Sequence, residues 1–277
     1  MELARQRFLF AASVFILCFH SFCHAEKRPS LINCTLSLHS LILTSFFCLS
    51  VLTAPSYTFV KHAADGPTVS YHDYIIVGGG TAGCPLAATL SRSFDVLVLE
   101  RGGSPYGNSN ISNLATLVRN LADLTPTSPT QRFVSEDGVT NARARVLGGG
   151  TCINGGFYTR ASAQEVREMG WDAELVNQSY RWVEEEVASE PQLIPWTSAL
   201  KEGLLHAGVT PYNGFTYEHL YGTKIGGTTV DRHGHRHTAA DLLKYADPNR
   251  LTVLLRATAQ RILFRDGGGG ELLHAYI

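Results

Sequence analysis

The chain has 277 residues, 44% of them hydrophobic, and a formal net charge of −1. That apolar content suffices for one large core or two ordinary ones. The near-neutral balance provides no basic field, which argues against nucleic acid as a partner.

Arg5 and Arg7 precede the apolar run "FLFAASVFILCF", and "CHA" ending at Ala25 offers small residues for cleavage. Residues 1–25 therefore read as a secretory signal peptide, and the expected location is the secretory pathway, extracellular or in the cell wall. Residues 26–70 read as a hydrophobic insert and leader segment. Within it, "LINCTLSLHSLILTSFFCLSVLT" (31–53) is uncharged and about long enough to cross a bilayer, although Ser, Thr, Asn and His dilute it. Three readings stand: a membrane anchor, an extra core element, or an insertion that the fold does not use. The last is favoured, because "SFCHAEK" would join naturally to "APSYTFVKHA" without it. Of six cysteines, only Cys84 and Cys152 lie beyond this region, both in glycine-rich loops without CxxC or metal spacing. Asn33, Asn110 and Asn177 open N-x-[ST] sequons, plausible glycan sites behind a signal peptide.

Tyr74–Val77 reads as a buried strand, followed by Gly78-x-Gly80-x-x-Gly83, a helix over about 82–91, and a second strand from Val96 to Leu99 ending at Glu100. Continuous apolar runs of this kind are expected of parallel strands covered on both faces. Each glycine has a physical task. Gly78 allows the tight turn, Gly80 lets the backbone approach a pyrophosphate, and Gly83 lets the helix pack closely on the strand. The helix start directs free N–H groups and a positive dipole end at the phosphates. Glu100 lies 20 residues after Gly80, where a carboxylate accepts hydrogen bonds from an adenosine ribose. The same carboxylate repels a 2′-phosphate, so NADP is disfavoured, and NAD and FAD both remain open on these residues.

A long irregular stretch with Pro126 and Pro129 leads to a second glycine run at 148–150. Three glycines there let main-chain N–H groups approach a flat polar ring, and Asn154 offers donors and an acceptor. "WDAELVNQSYRWVEEEV" places Val176, Tyr180, Val183 and Val187 at helical spacing behind Asp172 as N-cap. "TSALKEGLLHAGV" reads as a helix that stops at Gly208. "HTAADLLKYADP" reads as a third helix, with Thr238 and Asp241 at capping-box spacing and Pro248 beyond. His233, His235 and His237 alternate just before it, but Gly234 and flanking charges favour a solvated turn without a metal. "LTVLLRATAQRILF" reads as strand in one or two pieces, and "DGGGGE" as a flexible surface linker.

"ARVLGGGTCINGGFYTRAS" (144–162) resembles the first signature of the glucose–methanol–choline (GMC) oxidoreductases. "VGGGTAGCPLAATLS" with "VLVLERGG" has the same family's form, and "GTKIGGTTVDRHGHRHTAADLLKYADPNRLTVLLRATAQRILF" resembles its plant branch of HOTHEAD-like proteins and mandelonitrile lyases. The resemblance covers roughly 55–265. It implies an α/β, Rossmann-like FAD-binding domain of GMC type over 71–265, with a divergent tail at 266–277. It also implies FAD, with the ADP half in the first loop and the isoalloxazine end over the second. By position, Gly78, Gly80, Thr81, Ala82 and Gly83 would cradle the pyrophosphate and Glu100 the ribose; Val146, Gly149, Gly150 and Asn154 would lie along the flavin. Ala259 falls where the family turns strand backbone toward the adenine, a position more often Val. The implied partners are small molecules, an alcohol or a cyanohydrin. The family's catalytic His pair and most of its substrate domain have no counterpart in this sequence, and nothing marks His274 as catalytic, so an incomplete fold and a chain without its own catalytic pair are expected.

Overall fold

The structure is a computed structural model that describes residues 57–264 and 273–276. The signal peptide, residues 31–53, Asn33 and the "DGGGGE" linker lie outside the described residues. Its centre is a four-stranded parallel sheet assembled from strands distant in sequence. β1 (Val60–His62) comes first, then β2 (Tyr74–Val77), α1 (Gly83–Leu90) and β3 (Val96–Glu100).

Between β3 and the second glycine run lie two short helices, α2 (Ser109–Ser112) and α3 (Leu117–Ala122), and a hairpin, β4 (Thr130–Val134) with β5 (Thr140–Ala144). This stretch reads from sequence as irregular. Its ordering signal is the Asp137–Gly138 pair, where Gly138 takes φ +84° and Ser135 N donates to Val139 O. Beyond it come β6 (Phe157–Tyr158), α4 (Ala163–Glu168), α5 (Ala173–Val187), α6 (Pro195–His206), β7 (Tyr212–Phe215), β8 (Thr223–Ile225) and β9 (Gly227–Thr228). The chain then returns to the sheet as β10 (Leu251–Leu255), and β11 (Arg261–Phe264) pairs antiparallel with β12 (Leu273–Tyr276). His274 sits in that last strand, opposite Leu263.

The sheet order is β1–β10–β3–β2, every pair parallel. It starts earlier than the glycine motif: Val60–His62, inside the segment read as a leader, pair with Val253–Leu255. All five residues of β3 are buried, as its run "VLVLE" requires of a central strand. Burial of Val96, Leu97, Val98 and Leu99 contributes about 1.5–3 kcal/mol apiece. β2 departs from the sequence reading. Only Ile76 is buried, while Tyr74, Ile75 and Val77 are exposed, because β2 is an edge strand covered by α1 on one face. Ala87 and Ala88 of α1 are fully buried, and their small side chains let the helix approach both the sheet and the turn at 239–245.

The helical readings hold with one change of type. Asp172 caps α5, its side chain accepting from Leu175 N at 2.7 Å. Residue 208 ends the α6 region as a glycine at φ +81°. Thr238 and Asp241 form both halves of a capping box, but the element they start, Ala239–Tyr245, is a 3-10 helix. Its residues Ala239, Ala240, Leu242 and Leu243 are buried, a spread that fits three residues per turn wedged into the core. α5 is tied down through Glu184, whose carboxylate accepts from Arg160 Nε and Nη2 at 2.7 and 2.6 Å and from the Tyr158 hydroxyl.

Candidate cofactor site

The two glycine runs, 65 or more residues apart in sequence, meet at the carboxyl ends of β2 and β3. Gly148 N donates to Gly79 O at 2.7 Å, so the loops are joined main chain to main chain. Contact this close tolerates few side chains. A Cβ on Gly149 would stand 2.6 Å from Gly80 Cα, and one on Gly79 would stand 2.4 Å from Leu147 Cδ1. Two of the expected glycine tasks are visible directly. Gly78 has φ +98°, the left-handed turn that follows the strand, and a Cβ on Gly83 would lie 2.0 Å from Gly78 O.

Gly80 is different. A Cβ there would meet no chain atom nearer than Gly149 Cα at 3.9 Å, and one on Gly150 nothing nearer than Thr81 Oγ1 at 4.0 Å. Neither glycine is demanded by the protein's own packing. Both face a groove of about 580 Å³, lined also by Gly78, Glu100, Val146, Gly149 and Ala259. Bare main chain facing open space is what a closely held ligand needs. The wall also carries two cations absent from the sequence reading, Arg101 and Arg143. The hairpin places them: Arg143 is in β5, and Arg101 Nη2 donates to Ala144 O at 3.0 Å. Sequence alone had no means of bringing residues 142–144 to the groove, because their register with β4 is set across the hairpin.

Glu100 is buried, 5% exposed, and its two oxygens accept from Gly79 N at 2.9 Å and Gly102 N at 2.7 Å. It therefore braces the first loop as well as facing the groove, and its remaining lone pairs stay available. Ala259 reaches the wall from the segment after β10 rather than from a strand. Arg256 turns the chain there at φ +60°, and Ala257, Thr258 and Ala259 follow along the groove.

Four expected residues lie off the wall. Ala82 is the N-cap of α1 and Gly83 its first residue; no side chain caps that helix, Cys84 N donates to Gly80 O and Pro85 has no N–H, so the Gly83 amide is the one its first turn leaves to a ligand. Thr81 is exposed beside the second loop. Asn154 is exposed and turned elsewhere, its Oδ1 accepting from Arg236 Nη1 at 2.9 Å and Gly156 N at 3.0 Å. The cysteines flank the junction as buried thiols: Cys84 donates to Gly79 O and Cys152 to Leu147 O. Burial pushes the Cys84 thiol up to about 12 and raises Cys152 as well, so neither is a thiolate nucleophile at neutral pH.

Of the three histidines, His237 lies between Asp231 and Asp241, 3.5 and 3.4 Å away, and its ring packs edge-on to His235. Asp231 closes the tight turn through which they pass, its Oδ1 accepting from His233 N and His235 N.

The family model for GMC oxidoreductases matches residues 72–271. The chain belongs to the GMC oxidoreductase family. Protein HOTHEAD of Arabidopsis thaliana is 59% identical over 224 residues, which is 76% of this chain and 38% of that protein. (R)-mandelonitrile lyase 3 of Prunus serotina is 45% identical over 216 residues, 77% of this chain and 38% of that protein. This GMC chain thus spans about 38% of the length of these relatives. Among solved structures, pyridoxine 4-oxidase from Mesorbium loti superposes with a TM-score of 0.56 at 23% identity, over 73% of this chain and 47% of that one. The fold is that of the FAD-binding domain of GMC flavoenzymes, and the groove fits the family's cofactor, FAD. Its glycine cradle, cationic wall and Glu100 are the features a flavin adenine dinucleotide requires.

Proposed function

We propose that these residues form the cofactor-holding part of a flavin-dependent oxidoreductase acting on CH–OH donors, with a long-chain hydroxy fatty acid or alcohol as substrate class. The observation that carries this reading is the groove between the two docked loops, open at Gly80 and Gly150 where side chains would otherwise fit. The preference within the family rests on identity, 59% to HOTHEAD against 53% to an (R)-mandelonitrile lyase-like protein of Arabidopsis thaliana and 45% to the Prunus lyase. FAD, when bound, supplies the acceptor for the hydride that leaves the carbinol carbon. The chain's own part is to hold and orient. The loop amides and the start of α1 receive the pyrophosphate, Glu100 faces the ribose, and Val146, Gly149 and Gly150 form the wall toward the ring.

The 45% identity to a mandelonitrile lyase keeps a second reading, cleavage of a cyanohydrin on the same scaffold. Incubation of the chain with excess FAD, followed by gel filtration, is expected to yield a yellow protein. Anaerobic addition of an ω-hydroxy fatty acid is then expected to bleach the flavin in a protein that carries the family's catalytic His pair, while the 277 residues alone, without that pair, are expected to hold FAD and stay yellow. Colourless protein overturns the cofactor reading; cyanide release from mandelonitrile without bleaching favours the lyase. Bound flavin with neither reaction leaves a chain that carries FAD without turning anything over.

The signal-type leader supports entry into the secretory pathway. Asn177, exposed on α5, and Asn110 are then accessible to glycosylation. A reporter fused to residues 1–30 that stays in the cytosol overturns this assignment.

A further inference from the structure

Behind the second glycine loop lies a buried cation that the cofactor cradle does not use directly. Arg236 is 3% exposed. Its Nη1 donates to Thr151 O at 3.1 Å and Asn154 Oδ1 at 2.9 Å, and its Nη2 to Asn154 O at 2.8 Å. Its Nε is buried without an acceptor, and among the described residues no carboxylate is paired with it. Burying a guanidinium without a counter-charge is unfavourable, and burial alone holds its pKa below the usual arginine value. Every acceptor it does have belongs to residues 151–154.

The turn that carries Arg236 closes without the guanidinium. Asp231 N donates to His235 O, His237 N to Thr229 O, and Arg236 N itself to Ser112 O. The side chain acts on the glycine loop instead. Gly149, Gly150 and Ile153 of that loop line the groove, and Ile153 lies between the two residues whose carbonyls Arg236 holds. A second tie reinforces the first: Ala239 N donates to Thr151 Oγ1 at 2.9 Å, which in turn donates to Gly148 O at 2.6 Å.

We propose that Arg236 is a positioning residue for the cofactor, setting the curvature of loop 148–154 by drawing the Thr151 and Asn154 carbonyls away from the groove. This rests on the FAD reading of that groove. Two carbonyls and an amide oxygen are held at once by a planar fork, which a lysine ammonium on a flexible stem does not reproduce.

The test compares the 277-residue chain with Arg236→Lys and Arg236→Gln variants, after circular dichroism has verified folding. Each is titrated with FAD and, separately, with ADP, which engages the first loop alone. Arg236→Lys is expected to weaken FAD about tenfold while leaving ADP within about twofold, and to alter the visible circular dichroism of bound flavin. Arg236→Gln, if folded, is expected to weaken FAD at least as much. Unchanged FAD affinity in Arg236→Lys overturns the proposal, as does an equal loss of FAD and ADP, which marks a merely structural role. An unmodified chain that binds ADP but not FAD sinks the flavin reading, and the proposal with it.

Discussion

At the scale of single residues, the glycines divide by what faces the missing Cβ. Gly83→Ala drives a methyl into Gly78 O at 2.0 Å, a backbone atom that cannot step aside. The expected result is a loss of about 3 kcal/mol, read as a lower urea midpoint. Gly80→Val places its side chain in the groove instead, with no chain atom nearer its Cβ than 3.9 Å. Its thermal midpoint should match the parent, while FAD retention on gel filtration disappears. If the two variants behave alike, the division of roles is wrong. The spacing of Gly78, Gly80 and Gly83 announced these tasks, because each follows from backbone sterics alone. Arg236 was silent in sequence. It read as one charge within "DRHGHRHTA", and its burial depends on the loop at 151–154, more than 80 positions away.

At the scale of elements, local chemistry was legible and long-range placement was not. Asp172 and the Thr238–Asp241 pair act as caps, since a cap needs only neighbours within three residues. Thr238→Ala removes the acceptor for Ala240 N and half of the box, so it should cost about 1 kcal/mol in denaturant unfolding. A change of only a few tenths would show that core packing of Ala240 and Leu243, rather than the cap, holds the turn. That turn is a 3-10 helix with four of its seven residues buried, packed against α1 and α5. β2 shows the converse. Its apolar run "YIIV" promised burial on both faces, yet its position at the sheet edge exposes three of the four. An apolar run records what a strand tolerates, and neighbours decide what is covered.

Across the whole molecule, one charged cluster gives a pH signature. Hydrogen bonding to Asp241 above all, and the further charge of Asp231, raise the His237 pKa above its ordinary value. A histidine with a raised folded-state pKa contributes stability that is complete below the unfolded pKa and is lost as pH rises through the folded one. Thermal unfolding of the parent should therefore fall, relative to His237→Asn, as pH rises from about 6 through the folded-state pKa of His237. Parallel curves would remove the histidine from the account. By itself the sequence determined that residues 78–83 would turn tightly, leave bare main chain at Gly80 and open a helix, because those consequences follow from missing side chains within six positions. It also carried enough of the family's motifs to nominate FAD. Only the tertiary structure decided that Gly148 would bond to Gly79, that residues 60–62 would extend the sheet, and that a β-hairpin would bring Arg101 and Arg143 to one wall. Those outcomes depend on which distant surfaces bury one another, and no short window of residues contains that information.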